Sequence, residues 1–140
     1  MNSKIKILLC LLVVLSVTSC LAGNKISSDS SSINGTWTAD SINGVKTDST
    51  VYGKEFPFLV FNSETGSVTG STGCNSLNGV LSVTGLTLKI SEVITTKMFC
   101  VDIDEVTFLD VLKKTDNYEI RDGKLYLYAG KDIKMILAKK

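Results

Sequence analysis

Histidine is absent from this 140-residue chain, and proline and tryptophan occur once each. Without histidine the chain lacks the usual general base and the commonest metal ligand, which excludes Ser-His-Asp, Cys-His and zinc-hydrolase mechanisms. Clustered positive charge is missing too. Fifteen Lys and Arg residues stand against 14 Asp and Glu, so nucleic acid is not an expected partner, because its binding rests on basic patches. A membrane-spanning run is also lacking: the apolar stretch from Ile7 to Val17, broken by Ser16, falls short of the roughly 20 residues a spanning helix needs.

What is present begins with that short stretch. Lys4 and Lys6 precede it and Thr18-Ser19-Cys20 follow it, the parts of a secretory signal peptide. Val17-Thr18-Ser19-Cys20 resembles the bacterial lipobox, with an aliphatic residue three positions before the cysteine and small residues between. The resemblance implies cleavage after Ser19 and acylation of Cys20, with diacylglycerol on sulfur and an acyl chain such as palmitate on the amino group. Two or more chains anchor stably, at about 0.8 kcal/mol per buried methylene. Three segments are expected: a lipoprotein signal at 1–19, a lipidated cysteine and Ser-rich tether at 20–33, and a domain at 34–140. Asp29 is the only acid in the tether, which favours an outer-membrane position facing the periplasm.

Cleavage changes the chain to be reasoned about. Lys4 and Lys6 leave, so 13 basic residues face the 14 acidic ones. Of the four cysteines, Cys10 is discarded and Cys20 carries lipid, leaving Cys74 and Cys100. An even pair in an oxidising envelope points to a disulfide; the alternative is two buried free thiols packing as small hydrophobes.

Turn and strand signals dominate after the tether. Asn43-Gly44 suits a tight hairpin turn. Phe58–Phe61 and Ser67–Ser71 read as a hairpin with Gly66 left-handed, and Leu77–Val83 with Leu86–Ile90 as another. Residues 118–137 read as a three-strand meander turning at Asp122-Gly123 and Ala129–Asp132. One segment has helical spacing, with apolar residues at 103, 106, 109 and 112. Asp102 is its expected cap, Glu105 completes a capping-box-like pair, and Lys113 and Lys114 close it. The expected class is α+β, mainly β: a curved antiparallel sheet or partial barrel with one helix packed on it.

Catalytic, cofactor and metal sites are not expected. Glu64, Asp102, Asp104, Glu105, Asp122 and Asp132 sit in turns or at the helix start, where capping and solvation explain them. Asp102-Ile103-Asp104-Glu105 lacks the spaced oxygens and glycine of a calcium loop. Gly70-Ser71-Thr72-Gly73-Cys74-Asn75 lacks the Gly-Lys ending of a phosphate loop and reads as a sharp turn or bulge. Trp37, Phe56, Phe58, Phe61, Tyr118, Tyr126 and Tyr128 could line a hydrophobic-ligand cavity, or fill the core.

The ordered set Gly35-Thr36-Trp37, Gly73-Cys74-Asn75 and Thr96-Lys97-Met98-Phe99-Cys100, followed by Glu105, resembles the META domain, also called HslJ-like. Phe99 departs from the pattern, where the family usually has Ala. The resemblance implies a small β-rich barrel-like domain with one helix and no established catalytic activity. It also implies an envelope or secreted setting with stress associations, and a structural role for the motif residues. The function expected from these readings is non-enzymatic: a membrane-anchored envelope protein that binds another envelope component, or else carries a lipid or small hydrophobic ligand.

Overall fold

The computed structural model describes residues 30–52, 55–101 and 103–140. The signal peptide, Cys20 and most of the expected tether lie outside the described residues, as does the proposed cap Asp102. Nine strands follow a 3-10 turn at Ser30–Ile33: β1 Gly35–Ile42, β2 Val45–Lys46, β3 Phe58–Asn62, β4 Ser67–Ser71, β5 Ser76–Thr84, β6 Thr87–Thr95, β7 Asn117–Arg121, β8 Lys124–Ala129 and β9 Asp132–Lys139. Two helices interrupt them, the short α1 at Ser49–Tyr52 and α2 at Glu105–Lys114. The fold is therefore mainly antiparallel β with one substantial helix, as expected.

The sheet runs in the order β2-β1-β3-β4-β5-β6-β7-β8-β9, and β9 returns to pair with β1. That pairing bends the sheet into a ring, since one strand must satisfy partners on both edges. The ring is thin between β6 and β7, where Thr87 opposite Asn117 is the one paired register position. Two backbone bonds support it, Leu88 N–H to Asp116 O at 3.0 Å and Tyr118 N–H to Leu86 O at 2.9 Å. Helix α2 packs on β6, β1 and β8.

Alternation drives the burial. Leu59 and Phe61 of β3, Leu77 and Leu81 of β5, Leu125 and Leu127 of β8, and Met135 and Leu137 of β9 all point inward, because side chains two apart share a face of a strand. Strand β1 breaks the rule: Trp37, Ala39 and Ile42 are buried. The extra step falls at Asp40, where the register against β9 shifts between Ala39 and Ser41. A bulge of this kind re-aims the residues beyond it.

The expected turns form where their residues permit. Asn43 and Gly44 both take positive φ, 48° and 78°, the pairing a two-residue hairpin needs. Gly66 is left-handed as read, at 64°. Helix α2 differs from the expectation. Its N-cap is Asp104, whose carboxylate accepts the Thr107 N–H at 3.0 Å, and its buried face is Phe108, Val111 and Leu112. Val106, part of the apolar stripe by its spacing, is 79% exposed, because at 3.6 residues per turn it lies on the side of the helix away from Phe108, Val111 and Leu112.

The fold also reaches back into the segment read as tether. Ile33 is fully buried, and its carbonyl accepts the indole N–H of Trp37 at 2.6 Å. Next to it, Asn34 Oδ1 accepts the Ser63 N–H at 2.7 Å, so the chain enters the barrel beside the Asn62–Ser67 turn.

Candidate functional site

The motif residues divide between two places. Gly35 and Trp37 stand where the chain enters, with the Lys139 ammonium 4.9 Å from the Trp37 ring centre. Gly73, Cys74, Asn75, Thr96, Met98 and Cys100 gather at the other, open end of the β3–β4 hairpin. There the β4–β5 loop meets the segment that leaves β6.

Asn75 is the hub, 1% exposed. Its Oδ1 accepts the Met98 N–H at 2.7 Å and the Thr96 hydroxyl at 2.8 Å. Its Nδ2 donates to the Met98 carbonyl and to Glu105 Oε2, both at 3.1 Å. The amide orientation is fixed, since a backbone N–H can only donate and a backbone carbonyl only accept. One side chain thus grips both backbone polar groups of Met98, much as a neighbouring strand would.

A second layer holds the hub in place. Fully buried Thr72 donates its hydroxyl to Glu105 Oε1 at 2.9 Å and accepts the Asn75 N–H at 2.9 Å. Its N–H is in turn bonded to the Asn75 carbonyl at 2.9 Å. Cys74 and Cys100 are joined by a disulfide, their Cα atoms 6.0 Å apart. The β4–β5 loop, the segment after β6 and the first residue of α2 are thereby fastened by one covalent bond and a closed hydrogen-bond network.

The glycines of the loop are there for space. A Cβ on Gly70 would collide with the Phe58 carbonyl oxygen, and one on Gly73, at φ +92°, would lie 2.9 Å from the Tyr52 ring. Residues 70–75 form the tight turn read for them, closed by the Thr72 N–H on the Asn75 carbonyl at 2.9 Å. The Cys74–Cys100 pairing, left open between a bond and two thiols, resolves as a bond.

Some of the clasp escaped the sequence reading. Glu105 fits half of a capping box by pattern, yet its carboxylate faces Thr72 and Asn75, and nothing in the local sequence marks Thr72 out from other loop residues. Only the contact across 33 positions between them reveals either role. Sequence gave no signal for the outward face of the same segment, where Phe99 is 92% exposed, Val101 71% and Met98 62%.

A cleft of about 400 Å³ lies beside the clasp, between the β1–β2 turn and the two helices. Ile42, Val45, Val51 and Tyr52 supply its apolar walls, with Lys46 and Asp104 at its polar edge. Burial, and then the Asp104 carboxylate, push the Tyr52 hydroxyl above its ordinary pKa. Asp104 is itself held below the ordinary carboxylate value by its bonds to Thr107. Among the described residues, no group of three or more Cys, Asp or Glu gathers in a way that could hold a metal ion.

The ordered pairing of Gly73-Cys74-Asn75 with Met98-Phe99-Cys100, inside a closing antiparallel ring, agrees with a family model that matches residues 30–140, the META domain. The chain belongs to the META domain family. A search of curated proteins finds no match. Solved structures share the fold at low identity. An NMR structure of a Burkholderia xenovorans protein is 14% identical, covers 88% of this chain and 94% of its own, and superposes with a TM-score of 0.66. A second NMR structure is 21% identical over 76% of this chain and 89% of its own, with a TM-score of 0.59. A crystal structure of a DUF4847 family protein from Bacteroides vulgatus is 17% identical over 75% and 91%, with a TM-score of 0.54. The META match begins at Ser30, taking in the buried Ile33 that sequence had placed in the tether.

Proposed function

We propose that this META domain protein is a lipid-anchored component of the bacterial cell envelope that acts by binding another envelope component rather than by catalysis. The clasp carries the reading. Its reactive groups are turned on one another: the amide of Asn75, the hydroxyls of Thr72 and Thr96 and the carboxylate of Glu105 bond among themselves, and the two thiols are joined. A nucleophile or general base must instead be free to meet a substrate. What the segment turns outward is apolar, as suits recognition.

The anchor rests on Val17-Thr18-Ser19-Cys20, and ten positions separate Cys20 from Ser30, where the described fold begins. A position in the outer membrane facing the periplasm and a role in stress form part of the same proposal; the first rests on the sparse acids after Cys20, the second on the family resemblance. Carriage of a small hydrophobic ligand is the second reading, favoured by the cleft of about 400 Å³. Of the aromatics expected to line a cavity, Trp37 and Phe61 are each 1% exposed within the packed core, whereas Tyr118 and Tyr128 border a second depression of about 380 Å³ beside Leu86.

Fractionation tests the anchor. The wild-type protein should sediment with membranes through a high-salt wash, and Cys20→Ser should leave a folded domain in the soluble fraction. Retention of Cys20→Ser on washed membranes would overturn it.

A further inference from the structure

Exposed apolar side chains are not spread evenly over this barrel. Met98, Phe99 and Val101 follow one another on the segment leaving β6, all well over half exposed. Ile94, 68% exposed, lies just before them at the end of β6, and Val106, 79% exposed, lies just after on α2. The Met98 carbonyl and the Glu105 carboxylate share the Asn75 amide, which brings the helix start and this segment together.

The segment is also held still. Met98 is gripped at both backbone polar groups, and Cys100 is covalently tied to the β4–β5 loop. An apolar loop that gained nothing from its shape would need neither. An exposed aromatic on a fixed backbone suits a binding hot spot, because little backbone entropy is lost when it docks. We propose that Phe99, with the exposed Met98 and Val101 on the same segment and Ile94 and Val106 on the elements it joins, is the knob by which this domain seats in an apolar pocket on a partner protein. This rests on the reading that the protein binds another envelope component, and it names the surface.

The choice of a protein over the anchoring bilayer follows from where the chain ends. It enters the barrel at the Asn62–Ser67 turn, where Asn34 meets Ser63. The clasp lies at the far end of that hairpin, about 17 Å away at some 3.3 Å per strand residue. The N-terminal attachment and Phe99 therefore lie at opposite ends of the β3–β4 hairpin. The neighbouring cap Asp104, held in its charged form by Thr107, also disfavours an anionic headgroup layer.

A photoreactive phenylalanine analogue placed at Phe99 in the full-length protein in cells, with Thr65 on the entry turn as the control position, tests the proposal. The expected result is a protein adduct from position 99 and none from 65. The partner identified from that adduct, once purified, should bind the wild-type domain, with Phe99→Ala and Val106→Ser each weakening binding by about tenfold or more. Both variants should keep the wild-type Tm, since neither side chain is in the core. Adducts to lipid, to a second copy of this chain, or equally from both positions would overturn the knob, as would undiminished binding by Phe99→Ala. An adduct from 65 alone would reject this surface and leave the binding function standing; no adduct from either position would count against both.

Discussion

Replacing Asn75 with Ala removes the hub of the clasp and no apolar contact of consequence. Five hydrogen bonds vanish: two accepted by Oδ1 and three donated by Nδ2, one of these to the Glu105 carboxylate and a weak one to Cys74 Sγ, which is left out of the sum. Neutral bonds contribute about 1 kcal/mol each and a charged one about 2, a sum near 5 kcal/mol. That is an upper bound, because Thr96 and Met98 are exposed and their released groups can turn to water. About 3 kcal/mol is the working expectation, or some 12 °C in Tm for a domain of this size. Thermal unfolding followed by circular dichroism, with the disulfide intact, measures it. Asn75→Asp sharpens the test, since the isosteric carboxylate would face both Glu105 and the Met98 carbonyl. It should destabilise at least as much as Ala at pH 7 and recover as the pH falls and the pair takes up a proton. A Tm for Asn75→Ala within 3 °C of wild type, or an Asn75→Asp variant as stable as wild type at pH 7, would refute the hub.

The disulfide gives a second expectation: replacing Cys74 and Cys100 together with Ser should cost about 3.5 kcal/mol in the chain-entropy model for a loop of this length, read as a lower denaturant midpoint with an altered slope. Mass spectrometry of the native envelope protein should find both cysteines blocked to alkylation, and free thiols would contradict the bond. Asp104→Ala should lower stability at pH 7 by about 1 kcal/mol, the usual worth of an N-cap. Because the Asp104 carboxyl titrates below its ordinary value of 3.8, the cap's contribution is complete above that pH and is lost as the pH falls through the native value. The gap between wild type and Asp104→Ala should therefore narrow as the pH falls below 3.8 in parallel melts; a gap unchanged at low pH would mean the carboxylate is not the cap.

Local chemistry was legible in the sequence where one or two residues decide the backbone. Asn43-Gly44 and Gly66 named their turns because few other residues tolerate positive φ, and alternating apolar residues placed most strands. The helix was legible in kind but not in phase. Asp102 and Asp104 both offer a carboxylate at its start, and local pattern cannot choose between them. The stripe at 103, 106, 109 and 112 steps by three and so drifts by about 60° a step around a 3.6-residue helix, whereas the packed face follows Phe108, Val111 and Leu112. Ring closure was beyond sequence for a different reason. The β1–β9 pairing joins strands almost a hundred positions apart, and nothing within either strand encodes its partner. The clasp sat between these cases, since its residues were recognisable as a motif while the Thr72–Glu105 contact that completes it is purely tertiary.

The way Asn75 grips its neighbour bears on why the segment exists at all. It holds Met98 by N–H and C=O, groups every residue but proline shares, and Cys100 is held by its sulfur. The side chains at 98, 99 and 101 are therefore unconstrained by the clasp, and the core does not need them, as their exposure shows. A fold that needed only to pass from β6 to α2 could do so with a few polar residues, since most connections between elements are short. Instead a disulfide, a fully buried threonine and a buried asparagine are committed to fixing a stretch whose own side chains face water. That commitment makes physical sense if the backbone is a constant mount and the residues on it are interchangeable. Phe99, standing where the family resemblance leads one to expect Ala, is then a side chain the fold itself does not require.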